Sequence, residues 1–353
     1  MLHSFSAWAP ILHLGIYMKM RGQTNLCSSA PQSGTPPGEQ SGSVAVARML
    51  ARLSDRYAID RRIGSGGTGV VYLARDVSLG RQVAIKVLHP GVARLLRDDT
   101  FRREIRLTAS LQHPHILPVL DSGCVDGAFY FITPYLGEGS LHDLIEREGR
   151  LPLRSAIRIA VDVLEALEHS HANGIVHCDL KPENILLSNG HAILADFGIA
   201  RTAVGIALKD RDTVSGSPAY MSPEQAAGDD MLDGRSDIFG LACVLYEMLA
   251  GKPAYTGPHA LAIIAKRFQA PAPSLADECP SVPRGVSFAI TKALAVDPAA
   301  RYQSAASFAS ALIRHVSGRK MPLRRGFGRS KFGRAVARLA KSAVFAVALF
   351  LAA

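Results

Sequence analysis

Paired cysteines are missing from this chain. The five present, Cys27, Cys124, Cys178, Cys243 and Cys279, are odd in number, widely spaced and contain no C-x-x-C pair, which argues against a disulfide framework and for a reducing compartment. Acidic residues are missing from Arg314 onward, although ten of the 40 basic residues lie there. The formal net charge of +10 therefore belongs to the tail, and the first 313 residues carry thirty charges of each sign. A basic face for nucleic acid on the folded part is not indicated. Long apolar runs are lacking too. The uncharged end, Ser342 to Ala353, has twelve residues, about 18 Å of helix against a hydrocarbon core of about 30 Å. Internal repeats are absent, and residues 28–43, SSAPQSGTPPGEQSGS, have too few large apolar side chains to fold. Residues 1–52 accordingly read as a disordered leader. Lys19 and Arg21 follow its mildly apolar start instead of preceding it, the wrong order for a secretory signal.

What remains is the composition of a packed enzyme, 48% hydrophobic and 20% charged over 353 residues, enough for one large bilobal domain with tails. From Tyr57 to about Thr133 the pattern is strand-like, with Val70 to Ala74 and Val83 to Leu88 as β-rich runs around a turn at Ser78 to Arg81. One helix, from Asp99 to Leu111, interrupts it. After Gly139 the period becomes helical: Ile157, Val161, Leu164 and Leu167 share one face, and Asp237 to Ala250 is apolar enough for a buried helix. The fold class expected is α+β, a small β-rich lobe followed by a larger α-helical lobe.

The densest chemistry lies in residues 177–198, HCDLKPENILLSNGHAILADFG. Asp179 stands five positions before Asn184, and Asp196 follows twelve later. A carboxylate to orient a hydroxyl, followed by two oxygen ligands for Mg²⁺, is what phosphoryl transfer from ATP requires of a protein. Upstream, Ile63-Gly64-Ser65-Gly66-Gly67-Thr68-Gly69 contains G-x-G-x-x-G and runs on to Val71. A dinucleotide fingerprint would need a helix after these glycines, whereas a strand follows. They read instead as a hairpin turn over phosphates, where a missing Cβ lets backbone N–H groups approach. Lys86, in Val-Ala-Ile-Lys, is costly to bury inside an apolar strand without a partner, and Glu104 on the next helix is the expected one.

Taken together, these motifs from about Tyr57 to Arg314 resemble the protein kinase family, specifically the bacterial serine/threonine kinases of eukaryotic type. The resemblance implies a bilobal protein kinase fold over 53–316, with an N-lobe of about 57–133 and a C-lobe of about 137–316. It makes Asp179 the catalytic base, Asn184 and Asp196 the Mg²⁺ ligands, and Lys181 the group that neutralises the γ-phosphate; Lys86, paired with Glu104, holds the α- and β-phosphates. ATP would lie against Ile63 to Gly69, Val71 and Ala84. Its adenine would meet the carbonyl of Pro134 and the N–H of Leu136, with Thr133 controlling access to the rear pocket. Lys181, two after the base, suits serine/threonine specificity and protein substrates. By the same likeness Glu224 pairs with Arg301, Asp237 anchors the catalytic loop, and Ser217 bonds the base. The chain departs from the family at Cys178, which replaces the usual arginine; a phosphorylated segment around Thr213 and Ser215 thereby loses its cation, and control by that phosphate is expected to weaken. A pseudokinase, binding nucleotide or partners without catalysis, is the rival reading. A small-molecule kinase is disfavoured by the peptide-binding segment from Ser217 to Glu224.

Two further features invite a reading. His113-Pro-His115 and His169-Ser-His171 have spacings suggestive of metal, but no cysteine stands near either pair, so structural roles are expected. In the tail, 317–341 reads as a basic juxtamembrane linker and 342–353 as a candidate partial membrane anchor. Arg334, Arg338 and Lys341 fall on one helical face, with Phe332, Val336 and Leu339 turned away. A cytoplasmic kinase domain held at the inner face of the cell membrane is the expected placement.

Overall fold

The computed structural model describes residues 46–66, 68–89, 93, 98–197, 218–229, 231–269 and 272–316, without the side chains of 98–102 and 104. The leader up to residue 45, the Thr213, Ser215 and Ser217 segment, and the tail beyond residue 316 therefore lie outside the described residues.

Five antiparallel strands build the small lobe: β1 (Tyr57–Gly66), β2 (Gly69–Asp76), β3 (Arg81–Leu88), β4 (Asp121–Val125) and β5 (Ala128–Pro134), in the spatial order β1-β2-β3-β5-β4. The turn between β2 and β3 is built as expected. Asp76 Oδ1 accepts from the N–H groups of Ser78 and Leu79, and Gly80 takes a positive φ of 66°. Alternation along β3 puts Val83, Ile85 and Val87 into one apolar cluster with Ile132 and Tyr57. Lys86, on the opposite face, pairs in register with Val71 and Phe131.

One boundary moves. Residues 46–53, all but the last inside the leader expected to be disordered, form a helix, α1, and its Met49 and Leu53 are buried in the cluster under the sheet. The two side chains are four apart, one helical turn, so the face they share had a place to go once the sheet existed. Helix α2 (Asp98–Ser110) covers the other face of the sheet, where Ile105 packs with Leu88, Phe129 and Phe131.

The large lobe is helical. Helix α3 (Leu141–Glu148) starts at a capping box, with Ser140 and Asp143 satisfying each other's backbone N–H. Next come α4 (Leu153–Ala172), α5 (Pro223–Ala227) and α6 (Gly234–Ala250). Helix α6 is buried along nearly its whole length, so it is apolar all round where a surface helix would show one stripe. Helices α7 (Ala260–Gln269), α8 (Leu275–Glu278), α9 (Arg284–Ala293) and α10 (Ala305–Val316) complete the lobe. Among the described residues no helix is long and apolar enough to cross a membrane.

A small hairpin sets up the chemistry. Strands β6 (Ile185–Ser188) and β7 (His191–Leu194) are joined by Asn189-Gly190, both with positive φ, as a two-residue hairpin turn demands. Ile185 pairs with Leu194 at its open end. The residues just before β6 and just after β7 are thereby brought side by side, and these are the Asp179 to Asn184 loop and Asp196.

Candidate active site

A cleft of about 870 Å³ opens between the sheet and the helical lobe. Its roof is Ile63, Gly64, Ser65, Gly66, Thr68 and Gly69, its rear wall Val71, Ala84 and Lys86. Thr133, Pro134 and Leu136 form the connecting edge, and Asp179, Lys181, Asn184 and Asp196 line the lower surface. Every site residue expected from the sequence is gathered here except two: Gly67 and the side chain of Glu104 lie outside the described residues. Gly69 has a steric reason to be glycine, since a Cβ there would collide with the Val87 carbonyl.

Among the described residues Lys86 pairs with Asp196, whose Oδ2 accepts from Nζ at 2.5 Å. Burial works against the Asp196 charge, but the Lys86 ammonium beside it outweighs that and holds the carboxyl below its ordinary range. Lys181 Nζ donates to Asp179 Oδ2 at 2.8 Å. Asn184 Nδ2 donates to the Asp179 carbonyl at 2.8 Å and to Oδ2 at 3.0 Å. The amide nitrogen is thus committed, and the side chain keeps an oxygen as its acceptor. Carboxylate and amide oxygens on Asp196 and Asn184 are the hard donors that suit a magnesium-class cation.

The loop carrying Asp179 is fixed from beneath. Asp237, near the start of α6, accepts the backbone N–H of His177 at Oδ2 and that of Cys178 at Oδ1, both at 2.8 Å, as expected. His177 Nε2 lies 2.9 Å from the carbonyl of Ala195. A carbonyl only accepts, so Nε2 carries the hydrogen, and Nδ1 is left to accept from the Asp179 N–H at 3.2 Å. The fully buried ring therefore ties the loop before β6 to the segment after β7. Cys178 and Asp196 both hold positive φ, 63° and 62°, without being glycine. Such backbone strain persists only where surrounding bonds over-determine it, and it accumulates at functional sites.

These motifs, in this order and geometry, coincide with a family model described as the protein kinase domain, which matches residues 57–315. The chain belongs to the protein kinase family. Among curated relatives it is 41% identical over 278 residues to the serine/threonine-protein kinase PknB of Mycobacterium leprae, covering 75% of this chain and 44% of that protein. It is 40% identical over 259 residues to the serine/threonine-protein kinase PrkC of Bacillus subtilis, covering 72% and 39%. The chain thus spans less than half the length of these relatives. Among solved structures, that of Rad53 residues 1–466 in complex with AMP-PNP matches with a TM-score of 0.59 and 23% identity over 72% of this chain and 64% of that one, a likeness in fold.

Other kinase features assemble as expected. Arg301 meets both oxygens of Glu224 at 2.7 Å. Phe197, after Asp196, is buried edge-on to His177, and its carbonyl accepts from Thr108 of α2 at 3.3 Å. Several cleft residues were missed in the sequence. Leu186 lines the cleft, and its signal was its position on β6 two residues after Asn184. Leu117 and Phe131 also line it, but they owe this to tertiary packing.

The histidine pairs divide. His113 stacks on His169 at 5.3 Å, and burial, with His115 and His169 adding to it, lowers its pKa to about 4. His171 lies 2.8 Å from Asp237 Oδ2. Structural roles hold for these three. His115 does not follow them: the carboxylate that its chain neighbourhood lacks is brought to it by α4, as Asp162.

Proposed function

We propose that this chain is an ATP-dependent protein kinase that transfers the γ-phosphate to serine and threonine hydroxyls of protein substrates, with autophosphorylation among its reactions. The observation that carries the reading is the convergence of Lys86, Asp179, Lys181, Asn184 and Asp196 on one cleft beneath the Gly64 to Gly69 turn. In this reading the turn covers the triphosphate with backbone N–H groups, and Lys86 holds the α- and β-phosphates. Pro134 and Leu136 receive adenine through main-chain atoms, and Thr133, a small side chain, leaves the rear pocket accessible. Asp179 orients the attacking hydroxyl and takes its proton, while Lys181 carries positive charge to the phosphoryl group in transfer. Mg²⁺, held by Asn184 and Asp196, would neutralise charge on the phosphates. Incubation with labelled ATP, Mg²⁺ and a generic basic protein should place label on serine and threonine. Nucleotide binding without incorporation would favour the pseudokinase reading instead.

We place the catalytic domain at 53–316, extended at its start by α1, and attribute membrane association to the residues after it. A basic stretch without acids beside an uncharged apolar end suits an anionic bilayer surface, each basic residue contributing about 1 kcal/mol near it. The full chain should sediment with phosphatidylserine-containing vesicles in low salt, and residues 1–316 alone should stay in the supernatant. Equal pelleting of the two would reject the attachment.

A further inference from the structure

His115, Asp162 and His191 come from three parts of the chain and meet outside the cleft, none of them lining it. Their ligand atoms all lie within 4.8 Å of one another. His115 Nδ1 is 2.8 Å from the Ala192 carbonyl, so Nδ1 carries the hydrogen and the neutral ring presents its lone pair at Nε2. That Nε2 faces two carboxylates, Asp162 Oδ1 at 3.6 Å and Glu165 Oε2 at 3.9 Å, both beyond hydrogen-bond reach. On the other side His191 Nδ1 stands 3.1 Å from Asp162 Oδ2. Two atoms bound to one tetrahedral ion at about 2.0–2.1 Å sit about 3.3 Å apart. Asp162 meets the two rings through different oxygens, Oδ1 toward His115 at 3.6 Å and Oδ2 toward His191 at 3.1 Å, so its carboxylate spans the space between them near that figure.

We propose that His115, Asp162 and His191 form a binding site for a zinc-class divalent cation, with Glu165 or water as the fourth ligand. Two imidazoles and a carboxylate select zinc, cobalt or nickel over magnesium and calcium. The outer bonds that such ligands need are in place: the Ala192 carbonyl orients His115, and the Ala192 N–H bonds Asp162 Oδ2 at 3.0 Å. Asp162 is itself buried on α4, and a cation together with these rings compensates its charge. The site joins α4 to β7, the strand that leads through Ala195 to Asp196.

The test is calorimetric titration of the untagged full chain with Zn²⁺ in excess Mg²⁺, which saturates the oxygen donors of the cleft. Co²⁺ absorption serves as a second readout. One equivalent should bind, with a cobalt spectrum of nitrogen and oxygen ligation. His191→Ala should weaken it at least tenfold; this ring is more than half exposed, so the variant keeps its fold, which its metal-free melting temperature checks. Asp162→Asn should do the same, and His142→Ala, on the exposed face of α3, should change nothing. Failure of the wild type to bind micromolar Zn²⁺ would overturn the proposal and leave a plain packing contact between His115 and Asp162. Binding that survives His191→Ala would overturn it too, by placing the metal on cysteines or elsewhere.

Discussion

Asp179→Asn should lower the rate of phosphoryl transfer by about 10²–10⁴-fold, the range over which a positioned proton acceptor contributes, while nucleotide affinity stays unchanged. The separation of the two effects follows from the geometry. Asp179 Oδ2 receives hydrogen bonds from both Lys181 and Asn184, at 2.8 and 3.0 Å. An asparagine can present its one oxygen to the same two donors and keep the loop in place. It cannot accept a proton, nor orient a hydroxyl with a second anionic oxygen. The loop's other supports, Asp237 and the His177 ring, do not involve the altered group except through the backbone N–H of residue 179. Single-turnover transfer from labelled ATP, with nucleotide affinity measured in parallel by fluorescence, reads both quantities. A loss of less than tenfold would remove Asp179 from the role of base. A parallel loss of nucleotide binding would mean that the substitution collapsed the loop.

Much of this site could be read in advance because the kinase chemistry is written locally. Residues 177–198 carry Asp179, Asn184 and Asp196 together with the hairpin that brings them side by side, and Asn189-Gly190 states its own turn type. Lys86 was legible by contrast, a cation in an apolar strand, and alternation alone decides the face on which it stands. The cation site at His115 was not legible. Asp162 is 47 positions from His115 and His191 lies 29 beyond Asp162, and only the packing of α4, and of the segment carrying His115, against the β6–β7 hairpin brings them together. Arg267 shows the same limit. Helix α7 looks like an ordinary amphipathic surface helix with a basic end, yet Arg267 is fully buried. It donates to the carbonyls of Pro218 and Ala219 and lies over the Tyr255 ring at 4.8 Å. Nothing in the residues around it announces those partners. Helix α1 failed for a different reason: Met49 and Leu53 show helical spacing, but eight residues make a helix only when a surface is ready to bury them.

Arg301→Met should destabilise the fold by about 3–5 kcal/mol, the cost of leaving one partner of a buried ion pair alone. Arg301 is 2% exposed. It binds both oxygens of Glu224 and also donates to the carbonyls of Arg235, Ala295 and Val296 at 2.8 to 3.0 Å. Methionine fills similar volume, so the loss is electrostatic and not a cavity effect. Glu224→Gln in the same background removes the stranded charge and should recover part of the loss, and the double-mutant cycle gives the coupling. The pH dependence has a definite sign. Burial favours protonation of Glu224, but hydrogen bonds from Arg301 and Ser236 outweigh it and hold the carboxyl below its ordinary value of 4.5. A depressed folded-state pKa stabilises the fold fully above the unfolded value, and the contribution is lost as pH falls through the folded value. The gap in melting temperature between wild type and Arg301→Met should therefore be widest near neutrality and narrow below pH 4.5. A gap independent of pH would mean that the guanidinium acts through the three carbonyls alone, with Glu224 a bystander.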